Sequence, residues 1–171
     1  GARRQGISTA FATRPYTLSF LKSRESVTRT SIEGINYLFD LSTEDPPVEA
    51  DLQKDYFGFL QATPLEPIAT SELRGRAHGR VDIDFTRDGF KTVAELKKTD
   101  RDMSLARLVV EFGNQAGAYQ RTNIQLCVLM VLDLVDRGGG SDHIRNLVQV
   151  VRHRPPSGTA DFDIVALRIQ G

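Results

Sequence analysis

Gly79-Arg80-Val81-Asp82-Ile83-Asp84-Phe85-Thr86-Arg87-Asp88-Gly89-Phe90-Lys91-Thr92-Val93-Ala94-Glu95-Leu96-Lys97-Lys98 decides how the chain is read. Apolar and polar residues alternate on both sides of Asp88-Gly89, the pattern of two half-buried strands joined by a tight turn. Residues two apart in a strand share a face. Val81, Ile83 and Phe85 are therefore expected on one face, with Arg80, Asp82 and Asp84 on the other. On the second strand Glu95 and Lys97 share a face, so the hairpin can set Asp82 beside both. Two acids and a lysine held together on rigid strands point to a divalent cation.

Upstream of the hairpin, Val48 to Gln61 reads as a helix with the apolar stripe Val48, Leu52, Tyr56, Phe59 and Leu60. Glu49 and Asp51 lie in its first turn, where the helix dipole favours acids, and Pro64 and Pro67 stop it. Downstream, Asp100 to Ser104 offers a helix start. Leu105, Leu108, Val109, Phe112, Gln115, Ala116 and Tyr119 follow at helical spacing to about Arg121. Gln115 and Tyr119 are expected on an inward face with Leu108 and Phe112. The apolar run Ile124 to Leu134 predicts a central strand buried on both faces. Ser141 is expected to cap a helix through about Val151, and Phe162 to Ile169 predicts a last strand.

The beginning of the chain carries weaker signals. Residues 1–14 read as a loose arm, Tyr16 to Leu21 as a strand, and residues 32–41 stay open between a short helix and a strand. The expected organisation is an N-terminal extension over residues 1–46, packed on an α/β domain over residues 47–171 with one mixed sheet flanked by helices.

Composition narrows the class. The 171 residues suffice for one domain with a real core, and 40% apolar with 26% charged residues is ordinary for a globular protein. The formal net charge of +0 removes a global basic field as an argument for nucleic acid and leaves local patches open. Cys127 is the single cysteine, so no internal disulfide framework exists; its apolar surroundings predict a buried structural thiol. His78, His143 and His153 are scattered and fit no zinc spacing. The longest apolar run, about Leu126 to Leu132, is too short to span a bilayer. No hydrophobic signal core follows Arg3-Arg4, which leads to an expected cytoplasmic location.

In combination, Gly79-Arg80-Val81-Asp82, then Glu95-Leu96-Lys97, then a helix bearing Gln115-Ala116-Gly117-Ala118-Tyr119, then an apolar strand resembles the PD-(D/E)XK nuclease superfamily. The Gln-x-x-x-Tyr helix is most similar to its RecB-type branch. The resemblance covers roughly residues 48–134. It implies a restriction-endonuclease-like three-layer sandwich and hydrolysis of nucleic-acid phosphodiesters dependent on Mg²⁺ (or Mn²⁺), with DNA ahead of RNA. It implies that Asp82 and Glu95 hold the metal with the Leu96 carbonyl, and that Lys97 orients the attacking water or stabilises transition-state charge. Gln115 and Tyr119 would reach the site or a substrate phosphate, and Glu49 or Asp55 would add a further acid. Arg74, Arg76 and Arg80 form the best local basic patch for a phosphate backbone.

The chain departs from the family in three places. Val81 stands where many members have proline, Glu-Leu-Lys replaces the Asp-Tyr-Lys common in RecB-type members, and the first helix has no histidine. Other classes stay open: a catalytically inactive nuclease-like domain that binds nucleic acid or protein, and an α/β interaction domain whose acids and lysine form only a surface salt-bridge cluster. A homodimer and a place within a larger multidomain protein are both compatible with the sequence.

Overall fold

The hairpin forms where alternation places it. The computed structural model describes residues 2–26, 35–39, 44–71, 82–88, 90–118, 126–137, 142–154 and 161–170. In it β2 (Ile83–Arg87) and β3 (Phe90–Thr99) pair antiparallel, with Ile83 opposite Ala94 and Arg87 opposite Phe90. Asp88 turns the chain with φ at 52°, a left-handed conformation that aspartate tolerates in tight turns. Ile83 and Phe85 bury with Ala94 and Leu96, so the alternation reports a real inside and outside.

Around the hairpin stand β1 (Ala69–Ser71), β4 (Leu126–Asp133), β5 (Val148–His153) and β6 (Phe162–Gln170). Together they make one mixed sheet of six strands in the order β1-β2-β3-β4-β6-β5. β3, β4 and β6 run parallel, and the remaining neighbours are antiparallel. β4 is buried on both faces, which is why its sequence is continuously apolar rather than alternating. Val128, Met130 and Leu132 face one cluster, and Cys127, Leu129 and Val131 the other.

Helices cover both faces, so the molecule is an α/β sandwich. α1 (Ala2–Glu25) and α2 (Glu49–Gln61) lie on the Met130 side, contributing Phe20, Leu21, Leu52, Tyr56 and Leu60. α3 (Leu105–Ala118) connects β3 to β4 and lies on the opposite side with Leu105, Leu108 and Val109. This crossover is what lets β3 and β4 run parallel. No helix among the described residues is long and apolar enough to cross a membrane.

Three expectations are corrected. The loose arm and the Tyr16–Leu21 strand are one helix, α1. Its inward stripe is Thr13, Thr17, Phe20 and Leu21, and two threonines hide the 3.6-residue apolar period. The Thr17 hydroxyl donates to the Thr13 carbonyl at 2.9 Å and meets the Tyr56 hydroxyl at 2.8 Å. The helix expected from Ser141 to Val151 is instead a single 3-10 turn, Ile144–Asn146, followed by β5. Val148, Val150 and Val151 suit a strand, and β5 pairs with β6 from Val148–Leu167 to His153–Phe162. The open region around residues 32–41 contains a 3-10 turn at Asn36–Leu38.

Candidate metal centre

Where the hairpin ladder ends, its edge becomes available to side chains. Among the described residues the β2–β3 pairing runs as far as Ile83–Ala94, and Asp82 is the next residue out. Its Oδ2 accepts the Leu96 amide proton at 2.6 Å. An extended residue presents its N–H and C=O to the same edge. The Leu96 carbonyl therefore faces the Asp82 side as well.

Glu95 and Lys97 share the α3 face of β3 with Val93, as alternation requires. Lys97 Nζ lies 2.8 Å from Glu95 Oε1, and the glutamate is only 1% exposed. Glu49, in the first turn of α2, completes the group: its Oε2 is 3.9 Å from Lys97 Nζ, and its Oε1 accepts the Lys98 amide proton at 3.3 Å. Gln53, one turn further along α2, donates from Nε2 to the Asp82 carbonyl at 2.8 Å and to the Ser71 hydroxyl at 3.2 Å.

Burial pushes the Glu95 carboxyl up to about 7. The Lys97 hydrogen bond opposes that rise, and the Asp82 charge adds to it. Burial works against the Lys97 charge, yet the hydrogen bond to Glu95 and the charges of Glu95, Glu49 and Asp82 outweigh it and raise the lysine above its ordinary value. Lys97 is thus an ammonium among carboxylates.

Among the described residues, no three His, Cys, Asp or Glu side chains stand ready-gathered around one point. The donor set nevertheless fits a hard cation. Glu95 Oε2 is buried without a hydrogen-bond partner among the described residues, a costly condition that a cation relieves. Asp82, Glu95, Glu49 and the Leu96 carbonyl offer only oxygen, the ligand that Mg²⁺ and Mn²⁺ prefer.

The remaining expected residues fall in different places. Asp55 is not at the centre: Arg24 grips it with Nη2 at 2.6 Å and Nε at 2.7 Å, and the Tyr37 hydroxyl donates to it at 2.8 Å. Of the two acids, Glu49 is the one that lies beside Lys97. Asp84 pairs with Lys91 at 3.1 Å, and Lys98 is exposed. Gln115 is exposed rather than inward, because the inward stripe of α3 runs through Leu105, Leu108, Val109 and Gly113. Arg74, Arg76, Arg80 and Tyr119 lie outside the described residues. Cys127 is buried, its thiol pushed up to about 12 chiefly by burial, which makes it inert.

Gln53 was not singled out by sequence reasoning. Its available signal was position: a glutamine four residues after Glu49, next to the buried Leu52.

Fold and site together define an α/β protein with a lysine-bearing carboxylate cluster at the open end of a central hairpin. Comparison with protein-family models, with curated proteins and with solved structures finds no match to the chain.

Proposed function

We propose that the protein is a metal-dependent phosphodiesterase of the PD-(D/E)XK type, with a restriction-endonuclease-like sandwich, acting on nucleic acid and on DNA ahead of RNA. One observation carries the reading. Lys97 Nζ is 2.8 Å from Glu95 while Asp82 is fastened to the intervening Leu96 at 2.6 Å, so two acids and an ammonium converge on three consecutive residues of one strand.

Asp82, Glu95 and the Leu96 carbonyl would hold Mg²⁺ or Mn²⁺, with Glu49 as the further acid. When bound, the cation neutralises phosphodiester charge and lowers the pKa of a water. Lys97 donates from a fixed, largely buried position, orienting the attacking water and meeting charge that develops on the phosphate oxygens. Water adds at phosphorus and releases a proton to solvent, the P–O bond to the leaving oxygen breaks, and that oxygen takes a proton from solvent. Glu95 holds Lys97 in place and, with the charges of Glu49 and Asp82, keeps it protonated.

The test is incubation with single- and double-stranded DNA and RNA in Mg²⁺, in Mn²⁺ and in EDTA. Cleavage that requires the metal supports the reading. Tight binding of these nucleic acids with no cleavage of any of them supports instead an inactive nuclease-like binding domain.

A further inference from the structure

We propose that Gln53 is a positioning residue of this centre, holding the Asp82 main chain so that its carboxylate reaches the Leu96 amide. The inference rests on reading the centre as a divalent-cation site. Among the described residues, the ladders that β2 makes with β1 and with β3 both run as far as Ile83, opposite Ser71 and Ala94. Asp82 is the residue next to the end of this pairing. The Gln53 amide reaches that main chain from α2: one N–H goes to the Asp82 carbonyl at 2.8 Å and the other to the Ser71 hydroxyl at 3.2 Å. Gln53 is 8% exposed, so both bonds form away from bulk water and fix one geometry.

The consequence falls on the ligand. The Asp82 carboxylate meets the Leu96 amide at 2.6 Å from a main chain anchored on the other side by Gln53. A small shift of that main chain moves a carboxylate relative to the rigidly held Glu95. Glu49 and Gln53 are four residues apart on one face of α2. One turn of helix thus contributes an acid and the clamp that sets a second acid.

The experiment is a Mn²⁺ titration, followed by electron paramagnetic resonance, of the whole chain and of Gln53→Met, Gln53→Asn and Ser71→Ala, each checked for folding by circular dichroism. Met keeps the length of Gln and removes both donors; Asn keeps the amide and shortens its reach, giving a second variant if the first does not fold. Loss of the clamp is expected to weaken Mn²⁺ binding about 10-fold in the Gln53 variants, with Ser71→Ala within about twofold of the parent. A folded Gln53 variant that binds Mn²⁺ as tightly as the parent overturns the positioning role, even if it melts at a lower temperature. A parent chain that binds no Mn²⁺ overturns the metal-centre reading itself, a result distinguishable from the first because it appears before any substitution.

Discussion

Glu95 holds a carboxyl where water cannot reach it, with one oxygen on Lys97 and the other without a partner among the described residues. Its folded pKa of about 7 lies above the ordinary 4.5, so the protonated acid stabilises the fold. That contribution is complete below the ordinary value and is lost as pH rises through about 7. Glu95→Gln keeps a neutral side chain at every pH. The variant is expected to match the parent near pH 4 and to exceed it by about 1–3 kcal/mol at pH 8, measured by urea denaturation without added metal. Glu25 is also raised to about 7, by burial and then by Asp142, and taking the difference between parent and variant removes its contribution. A stability gap that does not widen between the two pH values would show that Glu95 is not held as described. The same substitution removes a proposed metal ligand, so Mg²⁺ should raise the melting temperature of the parent and leave that of the variant unchanged.

α2 separates two kinds of acid that look alike in the sequence. Glu49 reaches Lys97 from the first turn, with a side chain 44% exposed, whereas Asp55 is locked between Arg24 and Tyr37. Glu49→Gln is expected to weaken metal binding about 10-fold while changing stability by less than about 0.5 kcal/mol. Asp55→Ala leaves the Arg24 guanidinium buried and unpaired, and is expected to cost about 3–5 kcal/mol with metal affinity unchanged in the folded fraction. Calorimetric melting and metal titration of both variants check this; a reversed pattern would assign the acids the other way. The hairpin, α2 and β4 were legible because Ile83, Phe85, Leu52, Tyr56 and the run around Met130 all bury as their spacing requires. α1 was not, because Thr13 and Thr17 occupy its inward stripe. β5 was misread because Leu147, Val148 and Val151 also fit a helical spacing, and only the distant partner β6 decides between the two. Gln115 was misplaced because Gly113 is the buried residue of its turn and carries no apolar signal; a Cβ there would lie 2.9 Å from Ile164 Cδ1. In the site, the trio on the hairpin could be read from period-two alternation alone, while Gln53 acts through a side-chain amide that leaves no periodic trace.

Across the molecule, the sheet is clamped between α1 with α2 on one face and α3 on the other. α1 is part of the core: Phe20 is fully buried, packs its ring 4.9 Å from that of Tyr56, and lies under the Arg24 guanidinium. Phe20→Ala is expected to cost about 3–5 kcal/mol in denaturant unfolding, well beyond a surface substitution. A loss below 1 kcal/mol would mean that α1 is dispensable to the core. The same packing gives β3 a fixed frame, and the proposed function is that, on this frame, Lys97 and its acids hydrolyse phosphodiesters with a bound cation. The most direct measurement is the single-turnover rate of DNA cleavage at saturating Mg²⁺ for the parent chain and for Lys97→Ala, with EDTA as the metal-free control. The account predicts cleavage by the parent, none in EDTA, and a rate about 10²–10⁴-fold lower in the variant at unchanged DNA affinity. Equal rates in parent and variant, or cleavage that persists in EDTA, would contradict it.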